Sequence, residues 1–204
     1  MSSRATILAA VRANLPKPGR ELPDVPRFES DQPASLAAAF CEALRRMGGR
    51  ALEPGPPEDP LAPLKAELRT SRFVCSATPE IQGALDLSGE VDPHALADVD
   101  HAVVRASFGV AETGSVLLAD RDLKVNALAY LAQHLIVLLD PAAIVANMHA
   151  AYARPELGVH AYSAFHSGPS ATADIEGVLV QGAQGVRSLS VLLAPKIAAR
   201  AVTH

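Results

Sequence analysis

The 204-residue chain has no tryptophan and only two cysteines, and aromatic residues make up 4% of it. Cys41 and Cys75 are far apart, without a Cys-x-x-Cys spacing or a paired histidine. The chain therefore cannot build a four-cysteine iron–sulfur or zinc site alone, and two free thiols in a reducing compartment are expected. We predict no cofactor and no metal site in this chain.

Clustered basic residues and long apolar runs are also missing. The formal net charge is −4, and no Lys/Arg cluster or aromatic platform suggests nucleic-acid binding. The most apolar region, residues 128–148, is interrupted by polar residues and falls short of the roughly 20 apolar residues that span a bilayer. The apolar run at residues 7–11 is too short for a signal peptide. We expect a soluble, cytoplasmic protein without membrane insertion.

What the sequence does contain is the pattern of an α/β protein. Apolar residues at helical spacing predict helices over residues 4–15 and 33–47, with proline-rich linkers after each. We therefore expect an N-terminal helical extension and linker over residues 1–53 and an α/β domain over residues 54–204. Neither linker is long enough to demand separate domains.

Beyond residue 70, short β-rich runs alternate with helices. The predicted strands cover residues 73–75, 101–106, 115–119, 134–139, 159–165 and 189–193. Asp140-Pro141 predicts the start of a helix whose buried stripe is Ile144, Val145, Met148 and Tyr152. Such alternation predicts right-handed crossovers and a mainly parallel sheet covered by helices. Ligands of these sheets usually bind beyond the carboxyl ends of the strands, where we expect the loop at residues 165–177 to lie.

Residues 165–177 form the first candidate site. A β-rich run ends in the Gly168-Pro169 turn, and a short helix is predicted to follow, with Ser170 or Thr172 as its cap and Asp174 in its first turn. A strand, a glycine turn and a helix N-terminus together favour binding of a small anion. The alternative is that the two hydroxyl groups only cap the helix.

Residues 108–115 form the second candidate site. Its glycines, one of them Gly114, permit a tight backbone and close approach of a ligand. Glu112 could act as nucleophile or general base, and Thr113 and Ser115 could donate hydroxyl hydrogen bonds. The alternative is a hairpin turn with a solvated glutamate. Nothing in the sequence favours a Ser/His/Asp triad.

Two of the seven histidines have a positional argument for a site. His134 opens a buried strand, and His166 adjoins the Gly-Pro-Ser turn. A lone histidine at a strand end is also commonly structural, so both alternatives stay open. Gly182-Ala183-Gln184-Gly185 lacks the spacing of a dinucleotide fingerprint and is predicted to be a turn.

Taken together, residues 109–115 (GVAETGS), residues 133–137 (QHLIV) and residues 167–176 (SGPSATADIE) resemble the LUD-domain family, and within it the lactate utilisation protein C group. The opening helix is similar to the start of that family as well. Gln184 and Val186 depart from the family pattern, which favours histidine and proline there. A catalytic histidine in that loop is therefore not expected.

The resemblance implies a three-layer α/β sandwich similar to the NagB/RpiA/CoA-transferase class. It also implies membership of a three-protein system that oxidises L-lactate to pyruvate, with the iron–sulfur clusters in partner subunits. We expect Glu112 to be the catalytic residue. The residues expected to bind a small carboxylate or other anion are Thr113, Gly114, Ser115, His134, Gly168, Ser170, Thr172 and Asp174.

Two alternatives come from other functional classes. One is a non-catalytic scaffold whose loops dock an iron–sulfur subunit. The other is an independent enzyme acting on a sugar phosphate or a CoA ester. The latter requires a cationic group near the site, for which Arg121, Lys124 and Arg187 are the candidates. Whether the protein is an enzyme at all is left open by its sequence.

Overall fold

The computed structural model describes residues 3–16, 19, 23, 26, 33–89, 91–174, 176–183 and 185–196. Its central sheet consists of five strands, β1 (Arg50–Leu52), β2 (Val74–Ser76), β3 (His101–Arg105), β6 (His134–Leu139) and β11 (Ser188–Leu193). All of them are parallel, in the order β1-β11-β6-β3-β2. The carboxyl ends of the strands therefore share one side, here called the carboxyl edge, and their amino ends share the opposite side, the amino edge.

Both faces of this sheet are buried, as the uninterrupted apolar sequence of β6 requires. On one face Leu135 and Val137 belong to the core that includes helix α2 (Leu36–Arg46). On the other face Ile136 and Leu138 pack in the cluster that includes helix α3 (Ala62–Leu68).

A second, mixed sheet covers the α2 side of the molecule. Its strands are β4 (Phe108–Val110), β5 (Ser115–Ala119), β7 (Ile144–Val145) and β8 (Ser163–His166), in the order β7-β4-β5-β8. Val116 and Leu118 of β5 join the α2 core, whereas Leu117 faces away from it. The outward face packs in the cluster that includes helix α6 (Met148–Tyr152) and helix α7 (Glu156–Val159).

The remaining elements lie around these layers. They are α1 (Ser3–Ala13), α4 (Asp120–Leu123), α5 (Leu128–Leu131) and a two-stranded antiparallel hairpin of β9 (Ala171–Thr172) and β10 (Val180–Gln181). Short 3-10 turns occupy Pro93–Leu96 and Pro141–Ala143. No residue of α1 is buried. Within the described ranges, no helix has the length and apolar character needed to cross a membrane.

The predicted fold class is confirmed: the chain is a mixed α/β protein with a mainly parallel central sheet flanked by helices, a layered sandwich. The strands predicted at 115–119 and 134–139 have the bounds of β5 and β6. The boundary between residues 53 and 54 stays a prediction. Elements on both sides of it share one core, because Phe40 and Leu44 of α2 are fully buried and β1 pairs with β11.

Three predicted elements are wrong. The helix expected after residue 170 is instead strand β9 followed by a turn that leads into β10. Asp140 and Pro141 do cap and begin a 3-10 turn over Pro141–Ala143, but the long helix expected there is interrupted. Ile144 and Val145 pair with β4 as strand β7, and helix α6 begins only at Met148. The strand expected from residue 159 begins at Ser163, after the short helix α7.

Candidate functional site

A cavity of about 780 Å³ opens at the carboxyl edge of the central sheet. It is bordered by the residues that directly follow β2, β3, β6 and β11, which is where ligands of parallel sheets usually bind. Its charged lining comprises the acidic residues Glu80, Asp122 and Asp140 and the basic residues Arg105, Arg121, Lys124 and Lys196. We call this space the carboxyl-edge cavity.

A buried ion pair forms one wall of the carboxyl-edge cavity. Arg105 Nε donates to Glu80 Oε1 over 2.7 Å, and Arg105 Nη1 donates to the carbonyl oxygen of Ala194 over 3.0 Å. The two charged side chains are only 13% and 14% exposed. The Thr78 hydroxyl donates a hydrogen bond to the same Glu80 carboxylate. The Arg105 guanidinium thus ties together the chain after β2, the end of β3 and the end of β11.

A second polar group lies beside this wall. Ser107 donates its hydroxyl hydrogen bond to Asp122 Oδ2 over 2.6 Å, and Arg121 Nη2 donates to Ser107 Oγ over 3.3 Å. Asp122 Oδ2 also accepts the backbone N–H of Ala119 at the start of α4. The carboxylate is therefore held in place by the local backbone, and it positions Ser107 at the cavity.

Three basic groups at this cavity remain accessible for a ligand. The Arg121 side chain is 56% exposed and lies 3.5 Å from Asp122 in an ion pair that leaves part of its guanidinium open, and Lys124 and Lys196 are exposed residues. In the described part of the chain, neither lysine has a carboxylate within ion-pair distance. The Glu80 carboxylate is already paired with Arg105, so it does not neutralise these accessible basic groups. The basic groups can therefore bind an anion. The chemistry it offers is binding of a carboxylate or phosphate by charge-assisted hydrogen bonds.

The turn predicted as the catalytic site lies elsewhere. Glu112 is exposed, but its Oε2 accepts the backbone N–H of Met148 over 2.9 Å at the start of α6. Ser115 is 5% exposed, and Gly114 lies so close to α2 that a Cβ there would overlap the backbone of Leu44. Thr113 contacts the sulfur of Met148 at 4.0 Å. These side chains hold α2 and α6 in place and do not border the carboxyl-edge cavity.

The two predicted turns contact each other, and at their junction α2 packs against both of them. Ser167 donates its hydroxyl hydrogen bond to the carbonyl oxygen of Thr113 over 3.0 Å. Gly168, with a φ of +73°, lies against the backbone of Met47 at the end of α2. The backbone of α2 thus fills the space beside Gly114 and Gly168.

The helix N-terminus expected to bind an anion after Gly168 is not formed. The backbone N–H of Ser170 donates a hydrogen bond to the carbonyl oxygen of Val186, and the carbonyl oxygen of Ser170 accepts one from the N–H of Gly182. The Thr172 hydroxyl donates a hydrogen bond to the Asp174 carboxylate. Because residues 182–187 lead into the amino end of β11, this segment lies at the amino edge. The expectation that it lies beyond the carboxyl ends is therefore wrong.

His134 also lies at the amino edge. Its ring stacks on that of His101 with centroids 4.8 Å apart, and its Nδ1 lies 2.8 Å from Ser188 Oγ. His101 in turn contacts Ser71 and Asp100. Burial, and then the nearby charge of His101, lower the pKa of His134. A smaller cavity of about 510 Å³, lined by Asp100 and Gln133 among others, opens beside this row.

His166 is placed in a different environment at the end of β8. The ring of Tyr130 lies 5.3 Å from it between centroids, and burial lowers the pKa of its imidazole. Its Nε2 is buried and, among the described residues, has no hydrogen-bond partner. Across the described residues, no group of three or more His, Cys, Asp or Glu side chains is arranged to hold a metal ion.

Two residues of the carboxyl-edge cavity, Arg121 and Lys124, are among the cationic candidates from the sequence, although they are expected there beside the two predicted turns. The sequence does not single out Glu80, Arg105 and Ser107. A signal was present, because Arg105 ends a predicted strand and Ser107 follows it closely, at the end where ligands are expected. Arg187, the third cationic candidate, precedes β11 at the amino edge.

The fold and this site define an α/β-sandwich protein with a charged cavity at the carboxyl edge of its sheet. The family model of the LUD domain matches residues 85–194, and the chain belongs to that family. The chain is also similar in fold to the crystal structure of a DUF162 family protein from Deinococcus radiodurans. That similarity has a TM-score of 0.56 at 19% sequence identity, over 78% of this chain and 95% of the other. No curated protein matched the sequence.

Proposed function

We propose that this protein is a subunit of an L-lactate utilisation system of the lactate utilisation protein C type. In this role it supports oxidation of L-lactate to pyruvate alongside partner subunits that carry the iron–sulfur clusters. Membership of the LUD family supports the general role. The resemblance of residues 109–115 and 167–176 to the lactate utilisation protein C group supports the narrower assignment.

The ligand in this proposal is a small carboxylate or another anion, bound in the carboxyl-edge cavity. The observation that carries the proposal is the position of Arg121, Lys124 and Lys196, three exposed basic residues around one cavity at the carboxyl edge. A carboxylate entering it meets charge-assisted donors, while the carboxylates of Glu80 and Asp122 are already hydrogen-bonded within the wall. The Ser107 hydroxyl hydrogen is likewise already donated to Asp122, so the three basic groups are the donors that face the ligand.

Isothermal titration calorimetry of the purified protein with L-lactate, pyruvate and inorganic phosphate tests the ligand proposal. We expect saturable heat with at least one of these anions. Each of Lys124→Ala and Lys196→Ala should weaken that binding about tenfold, since a hydrogen bond to a charged group contributes roughly 1.5–3 kcal/mol. Lys65→Ala is the matched control, because Lys65 is paired with Asp59 away from the cavity. Absence of heat with every anion, with and without partner subunits, would refute the proposal.

A second candidate function is a scaffold that docks an iron–sulfur subunit through the two turns. The observation in its favour is that the polar groups of Glu112 and Ser167 are used to join elements of this chain. Pull-down of the partner subunits by Glu112→Ala and Ser170→Ala separates the two functions. Loss of assembly in these variants favours the scaffold, whereas intact assembly in them, with lactate oxidation lost in Lys124→Ala, favours the ligand site in the carboxyl-edge cavity. Turnover of a sugar phosphate or a CoA ester without partners would instead identify an independent enzyme.

A further inference from the structure

Helix α1 and the turn after it present an uncovered apolar stripe. Ile7, Val11 and Leu15 recur at helical spacing, and each is more than half exposed. Residues 3–16 contain two arginines and no acidic residue. An isolated helix of this length is marginal in water, so packing of its apolar stripe is needed to keep it helical. The stripe and its positive charge favour a covering surface that is apolar and acidic.

The β9–β10 hairpin offers a surface of that kind. Val178 and Leu179, just before β10, are 62% and 65% exposed. Asp174 and Glu176 are exposed on the same loop, and residues 167–186 contain no lysine or arginine. This loop therefore combines apolar and acidic side chains and has the opposite charge to α1.

We propose that α1 of one copy of this chain docks on the β9–β10 hairpin of a second copy, so that two copies exchange their N-terminal helices. The arginines of α1 and the acidic residues of the hairpin loop have opposite charges, which favours contact between these two surfaces. Residues 16–33, which join α1 to the rest of the chain, include five prolines. Chain geometry lets a segment of this length span up to about 60 Å, so α1 can reach a neighbouring copy. A two-fold dimer forms the contact twice, which doubles its apolar area.

Sedimentation velocity over a concentration series tests this exchange on the full chain. We expect a monomer–dimer equilibrium. Val11→Asp on the helix and Leu179→Asp on the hairpin should each weaken dimerisation about tenfold or more, since each buries a charge in an apolar contact. Val159→Asp is the matched control, because Val159 is 70% exposed on α7 and is not part of the contact. Both target side chains are exposed, so at concentrations where the wild type is monomeric the variants should have the same melting temperature by circular dichroism.

Charge reversal provides an independent arm of the test. Arg12→Glu and Glu176→Arg should each weaken dimerisation, and the double variant should recover a large part of the loss. The proposal is overturned by a chain that stays monomeric at all concentrations, and equally by a dimer that Val11→Asp and Leu179→Asp leave intact. It is also overturned if the double charge reversal dimerises no better than the single variants.

Discussion

At the scale of single residues, Arg105 connects three segments of the chain at the carboxyl edge. Its guanidinium bonds to Glu80 after β2 and to the carbonyl of Ala194 after β11, while its own backbone ends β3. Since both charges are largely buried, neither can recover its hydration if the other is removed. The pair fixes the wall of the cavity, and the exposed basic groups are left for a ligand.

Replacement of Arg105 by alanine should therefore lower the free energy of unfolding by about 3 kcal/mol, as expected when one partner of a buried pair is lost. Urea unfolding followed by circular dichroism measures this. Arg46→Ala is the control, because the Arg46–Glu42 pair is exposed on α2 and its loss should cost about 0.5 kcal/mol or less. Equal effects of the two substitutions would mean that Arg105 does not organise the edge.

The two histidines with a lowered pKa predict an acid-sensitive stability. Burial is the main cause for both His134 and His166, so the folded protein binds protons at these rings less readily than the unfolded chain does. Their contribution is complete above the unfolded pKa near 6.5 and is lost as the pH falls below it. The slope is at most about 1.4 kcal/mol per pH unit for each ring.

Urea midpoints between pH 7.5 and 5.5 measure this dependence. The slope should become smaller in His166→Phe and His134→Gln, because these variants remove a group that only the unfolded chain protonates readily. Arg46→Ala, a substitution on the exposed face of α2 that removes no group titrating in this range, should leave the slope unchanged. A slope that is identical in all four proteins would show that the buried imidazoles do not couple to folding.

At the scale of elements, α2 joins the two sheets. Gly114 and Gly168 have positive φ angles, and each lies against α2 backbone where a Cβ does not fit. The glycines that suggested close approach of a ligand thus allow close approach of a helix instead. The sequence predicts approach of a ligand at Gly114, whereas the structure places α2 of the same chain there.

Gly114→Ala should lower the free energy of unfolding by about 2 kcal/mol or more, since it combines backbone strain with overlap in the core. Thermal and urea unfolding measure the loss. Gly158→Ala provides the contrast, because no atom lies within 4 Å of a Cβ at that position. It should be neutral or stabilise α7 slightly. A tolerated Gly114→Ala would contradict the close packing of the β4–β5 turn on α2.

The sequence predicts those elements whose signal is local. β6 is an unbroken apolar run, and its bounds follow directly from it. The segment after Ser170 was mistaken for a helix because hydroxyl and acidic side chains are typical of helix starts. Gly177 and Gly182, both at positive φ, instead turn the chain back into a hairpin. Strand β7 depends on pairing with β4, a contact that no local pattern reveals.

At the scale of the whole molecule, the parallel order of the sheet positions the site. The mainly parallel architecture, and the rule that ligands bind at the carboxyl edge, are both available from the sequence. Which loops reach that edge is not, because it depends on strand order. Glu80 and Arg105 become partners only once β2 and β3 are neighbours, whereas Ser170 is carried to the amino edge by its contacts with residues 182–186.

The central claim is that the carboxyl-edge cavity is the ligand site, and the crystallographic position of a bound carboxylate tests it most directly. Crystals soaked in pyruvate should show the carboxylate within about 3 Å of the ammonium of Lys124 or Lys196 or of the Arg121 guanidinium, the range of charge-assisted hydrogen bonds. Density found only at Ser170 and Thr172, on the opposite edge of the sheet, would contradict the account, as would a cavity that stays empty at saturating pyruvate.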